Sequence, residues 1–161
     1  MVKIQTLSRR ESLRIIEAAK PLLRGLERID KVRSLRALIV DERRRLLYAE
    51  DLMLVEVDSR IAPFLGFSEA LETLPKIVVD SGAIPYICNG ADVMRPGIVR
   101  FEESFKADDL VAVKEERYGK FLAVGVATVS SDEAESMGRG VVVRNLHYVG
   151  DKLWEASKLV K

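Results

Sequence analysis

The chain has 161 residues, 48% hydrophobic and 32% charged, with a formal net charge of +1. That length allows one full-sized domain or two small ones, and the composition is that of an ordinary soluble globule. One cysteine, Cys88, and one histidine, His147, exclude an intrachain disulfide and a Cys/His zinc site of the usual ligand count, so no metal or cofactor is expected.

No apolar run reaches the ~18 residues of a membrane span, and the N-terminus lacks a secretory apolar region. A soluble, cytoplasmic protein without membrane association is expected. Arginine clusters in the first half, at Arg9, Arg10 and Arg14, at Arg24 and Arg28, at Arg33 and Arg36, and at Arg43, Arg44 and Arg45. Each cluster reads either as solvated helix and turn surface or as a basic surface for phosphate.

Taken in chain order, Ser8-Arg9-Arg10-Glu11 forms a capping box, with the Ser8 hydroxyl placed to accept from the Glu11 amide. Leu13, Ile16, Ala19, Leu22, Leu23 and Leu26 follow at helical spacing. Pro21 predicts a kink or a second short helix, and Gly25 a stop. The period then changes. Leu35 to Val40 and Leu46 to Tyr48 predict a hairpin, with Arg43, Arg44 and Arg45 in its exposed turn. Leu52 to Val57 predicts another strand, Pro63 and Gly66 a loop, and Ser68 to Leu74 a short helix. The expected N-terminal domain is α+β, residues 1–75, with a small antiparallel sheet.

From Lys76 onward, short apolar runs alternate with turn signals: Ile77-Val78-Val79, Ile98 to Phe101, Leu110 to Val113, Phe121 to Val129 and Val141 to Val143. Ser130 to Gly138 reads as a capped helix with Gly138 as its stop. This pattern predicts a compact β-barrel domain over residues 76–161.

Within it, Asp80 or Ser81 is placed to cap a short helix starting at Gly82, and Asn89-Gly90 to end it. Pro96-Gly97 predicts a type II turn leading into Ile98. Gly82 and Gly90 would then offer bare backbone amides to phosphate or base edges.

Asp80-Ser81-Gly82-Ala83, followed by Gly90-Ala91-Asp92-Val93-Met94-Arg95-Pro96-Gly97-Ile98, resembles the signature of the PUA domain found in pseudouridine synthases and archaeosine transglycosylases. The resemblance implies a β-pseudo-barrel that binds structured RNA, tRNA or ribosomal RNA. It implies contacts at Gly82, Ala83, Tyr86, Gly90, Ala91, Met94, Arg95, Pro96 and Gly97. Gly138-Arg139-Gly140, Asn145-Leu146-His147-Tyr148 and Asp151-Lys152-Leu153-Trp154 are similar to the C-terminus of the malignant T-cell amplified sequence proteins, relatives of ligatin. Those proteins act in translation initiation and in recycling small ribosomal subunits, so a translation factor is implied. Their eukaryotic members pair with the density-regulated protein, whereas no protein partner can be read from this chain.

Catalysis finds little footing. Ser130, Ser131 and Ser136 could serve a relay through His147, yet none lies in a Gly-x-Ser-x-Gly elbow. His147 therefore reads as a structural histidine, Cys88 as buried filler, and Tyr148 and Trp154 as core aromatics. Gly138-Arg139-Gly140 lacks the third glycine of a dinucleotide loop, and Asp132, Glu133 and Glu135 fit dipole compensation in a first helical turn. The expected protein is not an enzyme. The alternatives are an accessory factor in ribosome assembly or tRNA modification, and an enzyme with an active site in the N-terminal domain.

Overall fold

A computed structural model describes residues 3–160, apart from the side chains of Glu27 and Arg28. The chain forms two compact units: the part up to Thr73, completed by the segment from Lys152, and Leu74–Asp151.

Strand β1 (Lys3–Thr6) opens the first unit, and helix α1 (Arg9–Ala19) follows. The Ser8 Oγ accepts from the Glu11 amide at 3.0 Å, satisfying one donor that a helix start leaves over. Ile15, Ile16 and Ala19 form the buried stripe, while Leu13 faces solvent. Where Pro21 removes a donor, the helix tightens into a 3-10 turn, Lys20–Leu23. Ser12 is wholly buried, and its Oγ takes the Leu35 amide at 2.9 Å, tying the helix to the start of the sheet.

Strands β2 (Arg36–Ile39), β3 (Arg44–Ala49), β4 (Leu52–Val57) and β5 (Arg60–Pro63) extend β1 into a five-stranded antiparallel meander. Leu46 and Leu47 are both fully buried. Adjacent strand residues point to opposite faces, so both faces of the sheet are covered. Helix α2 (Ser68–Leu71) buries Ala70 and Leu71. Two strands of this unit lie outside the expectation. All four residues of β1 are exposed, leaving no alternation to read. β5 occupies the stretch expected to be loop, and it tolerates Pro63 because it is an edge strand.

The second unit runs β6 (Lys76–Val79), helix α3 (Ile84–Ile87), β7 (Val93–Met94), β8 (Ile98–Phe101), β9 (Leu110–Glu115), β10 (Phe121–Ala127), helix α4 (Ser131–Ser136) and β11 (Val141–Tyr148). Its six strands lie in the order β7-β11-β10-β9-β6-β8, with β6 and β9 parallel. The sheet curls around Ile77, Val79, Ile87, Val111, Val113 and Val143. Strand β11 runs five residues beyond the expected Val143, ending in His147, which is wholly buried, and Tyr148, which is half-buried. The His147 Nδ1 lies 2.8 Å from Asp151 Oδ2, which also accepts from the Tyr148 amide.

Two turns differ from expectation. Arg95–Gly97 forms a 3-10 turn with Pro96 in its first positions, and Gly97 is not left-handed. Met137 leaves α4 in extended conformation, so Gly138 is not the stop; the left-handed residue is Gly140, at φ +111°.

Helix α5 (Lys152–Ser157) was expected in the C-terminal domain, and it belongs with the first unit. Leu153 and Ala156, three apart on one helical face, are buried, and Trp154 stacks on Phe64 with ring centroids 5.6 Å apart.

Candidate nucleic-acid interface

Around α3 and β7 the second unit carries a groove of about 280 Å³, lined by Ala83, Tyr86, Ile87, Ala91, Asp92, Val93, Met94 and Gly97. Five of the residues expected to contact RNA meet there: Ala83, Tyr86, Ala91, Met94 and Gly97. Ile87 and Val93 are buried and form the floor, while Tyr86, 70% exposed, and Met94, 46% exposed, stand at the rim. Large apolar side chains left in water beside an apolar floor suit a planar ligand more than they suit folding.

Local chemistry holds this shape. The Asp80 carboxylate caps the segment by accepting from the Ala83 amide at 3.1 Å. That amide is thereby occupied within the protein, which removes it as a phosphate donor. The backbone of Ala91 donates to Tyr86 O at 3.0 Å, closing the turn after α3. No local pattern assigns Asp92 and Asn145 a role, yet they fasten the groove. Asp92 Oδ1 accepts from the Asn145 amide, and Asn145 Nδ2 donates to Ile87 O and Ala91 O at 3.1 and 3.0 Å. Their separation of 53 residues hides this pair from any local pattern.

The other four residues lie outside the groove lining. Gly82 is exposed beside Ala83, without a left-handed backbone. Gly90 is left-handed at φ +97°, and a Cβ there would come within 3.3 Å of the Tyr148 hydroxyl, so the turn and its neighbour both require glycine. Pro96 is exposed. Arg95, for which the resemblance implied an RNA contact, is fastened within the unit. Its Nε donates to Ala134 O at 2.7 Å, its Nη1 to Ile98 O at 3.1 Å, and its guanidinium lies 5.3 Å from the Phe101 ring centroid.

Arg43, Arg44 and Arg45 also differ from a free basic turn. Arg43 pairs with Asp58 through two bonds, of 2.8 and 2.7 Å, Arg44 pairs with Asp41, and Arg45 bridges Glu56 and Glu11. Arg44 and Arg45 lie in β3, not the turn. Carboxylates from elsewhere in the same unit already neutralise this cluster, which weakens its case as a phosphate surface. Near the groove, Arg139 and Arg144 are exposed, and among the described residues neither makes an ion pair. Arg139 precedes Gly140, whose carbonyl takes the Arg95 amide, and Arg144 lies on β11, which pairs with β7. Such cations suit backbone phosphate.

The side chains weighed for catalysis have structural partners. Ser130 caps α4 through the Glu133 amide, Ser131 Oγ takes the Phe105 amide, and His147 is buried against Asp151. Cys88 is half-buried, and that burial pushes its thiol up, away from the reactive thiolate. Among the described residues no group of three His, Cys, Asp or Glu side chains is placed to hold a metal.

Residues 75–149 match the model of the PUA domain. The chain is 37% identical over 131 residues to Uncharacterized protein MJ1432 of Methanocaldococcus jannaschii, covering 80% of each chain. It is 27% identical to Translation machinery-associated protein 20 of Schizosaccharomyces pombe, over 88% of this chain and 83% of that one. With Malignant T-cell-amplified sequence 1-A of Xenopus laevis it shares 37% identity over 84 residues, 50% of this chain and 46% of the relative. Hypothetical protein PH0734.1 of Pyrococcus horikoshii superposes with a TM-score of 0.76 at 31% identity, over 96% of this chain and 99% of that one. The chain therefore belongs to the family of PUA-domain proteins that includes MJ1432, and it resembles the malignant T-cell-amplified sequence proteins.

Proposed function

We propose that this protein is a cytoplasmic, non-catalytic translation factor that binds structured RNA, either tRNA or the RNA of the small ribosomal subunit, through the unit Leu74–Asp151. The PUA match and the relative named for the translation machinery support a translation-associated RNA-binding role. The observation that carries the reading to particular residues is the apolar groove with Tyr86 and Met94 exposed at its rim. Sequence-directed RNA recognition favours unpaired bases, which stack on aromatic side chains and lie on apolar floors. In this reading a base enters the groove against Tyr86, Ala83, Ala91 and Gly97 approach it closely, and Arg139 and Arg144 meet flanking phosphates. Gly82, Gly90 and Pro96 shape the rim, and Arg95 holds the turn beneath it. Among the described residues no helix is long and apolar enough to cross a membrane.

The test couples affinity to identity. Crosslinking the full chain to RNA in cells and sequencing the recovered fragments should return tRNA or small-subunit RNA. Tyr86→Ala should bind that RNA about 5- to 100-fold more weakly, the range for losing one base stack. Its thermal midpoint should barely move, because an exposed side chain contributes little to folding. Unchanged affinity in the variant would remove the groove from the interface. Recovery of precursor ribosomal RNA or modification-guide RNA would favour an assembly or modification role.

A further inference from the structure

A second exposed aromatic shares the groove's end of the sheet. The turn between β9 and β10 carries Arg117, Tyr118 and Lys120, all exposed, with Tyr118 at 73%. Among the described residues neither Arg117 nor Lys120 makes an ion pair. This turn is tightly fastened. The Glu115 carboxylate is buried beneath it and accepts from the Tyr118 and Lys120 amides, while the Glu115 amide donates to Lys120 O at 3.0 Å. Burial by itself would push that carboxyl up. The surrounding backbone amides of Tyr118, Lys120, Gly119 and Arg117 outweigh it and hold the carboxyl below its usual range, so the fastening is charged at neutral pH.

The sheet sets the turn beside the groove. Strand β6 lies between β9 and β8. Just beyond the turn's start, the Glu116 amide donates to Val79 O at 3.0 Å; one residue further along, the Asp80 amide donates to Gly97 O at 3.0 Å. Gly97 lines the groove, and Asp80 caps Ala83, which lines it too. Two strand spacings, about 10 Å, therefore separate the turn from the groove's near wall. A distance of that order lies within reach of the same unpaired strand that enters the groove.

We infer that this turn is a second nucleotide subsite, in which Tyr118 stacks on another unpaired base of the strand that enters the groove and Arg117 and Lys120 meet its phosphates. The inference rests on the RNA-binding reading and extends it to a second, sequence-distant element. A tyrosine held in water on a rigid turn meets a base with little further ordering, which is the condition for an efficient stacking platform.

The probe is an RNA hairpin with an unpaired 3′ extension carrying 2-aminopurine at one position at a time, titrated with the full chain. Stacking on an aromatic ring quenches the fluorophore. Wild type should quench at two positions at least. Tyr118→Ala should lose quenching at one of them only and bind about fivefold or more weakly, Tyr118→Phe should behave as wild type, and Tyr86→Ala should lose the other position. If Tyr118→Ala keeps every quench and full affinity while Tyr86→Ala does not, the subsite is overturned and the groove reading stands. Loss at every position in Tyr118→Ala overturns it as well. If wild type binds no such RNA, both readings fall together.

Discussion

Gly125→Ala is expected to destabilise the unit Leu74–Asp151 by about 3 kcal/mol or more, the upper part of the range for overpacking a closed core. Gly125 lies within β10, where the ladder to β11 carries a bulge between Val124 and Gly125. A Cβ at this position would sit 2.3 Å from the Arg144 carbonyl oxygen and 2.6 Å from Val143 Cγ1. A flexible side chain can swing aside, but a carbonyl inside a strand ladder can yield only if the strands separate. Against a total stability of roughly 5–15 kcal/mol for a domain, such a cost is a large fraction. The thermal midpoint should fall by more than about 10 °C. RNA affinity should fall with it, because β11 also carries Asn145, whose amide holds the groove's turn. Urea unfolding of both proteins, read by circular dichroism, checks the figure. A midpoint equal to wild type would mean that the bulge absorbs the methyl group and that β10 and β11 are less tightly joined than the geometry requires.

What could be read from sequence, and what could not, divides by the range of the interaction. The Ser8 cap, the Asp80 cap and the starts of β4 and β8 depend on residues within three or four positions, so their residue types announce them. β1 has no buried residue, and β7 has only two residues, so neither leaves a period to detect. Helix α5 has a readable apolar face, but nothing within it says which unit supplies the surface it covers. The groove was legible in its α3–β7 wall because one continuous motif builds that wall. Its fastenings were not, because Asn145 reaches back 54 residues to Ala91. Sequence leaves the cluster Arg43, Arg44 and Arg45 open between solvated surface and phosphate surface for the same reason. Arg45 finds Glu11 34 residues earlier in the chain, a partner visible only in space.

Arg95 makes that distinction measurable. Its guanidinium spans from Ala134 O on α4 to Ile98 O at the start of β8, over the Phe101 ring. Hydrogen bonds from a charged donor contribute roughly 1.5–3 kcal/mol each when partly shielded, and the deleted side chain also leaves two carbonyls short of a donor. Because Arg95 is only half-buried, Arg95→Ala should cost about 2–3 kcal/mol in total. Arg95→Lys should recover little of it, since a single ammonium cannot reproduce the two-pronged geometry. The RNA-binding consequence is expected to differ in kind. Arg95→Ala should weaken binding through a loosened turn while leaving the salt dependence near wild type, because its charge is turned inward. Arg139→Ala with Arg144→Ala should do the reverse. Stability should change by no more than about 0.5 kcal/mol, and the log–log salt slope should flatten by about 1.4, two contacts at roughly 0.7 each on a single strand. Salt titrations of RNA binding beside thermal melts of wild type and these variants separate the outcomes. A slope flattened by Arg95→Ala alone, at full thermal stability, would return that residue to the phosphate-contacting set and take Arg139 and Arg144 out of it.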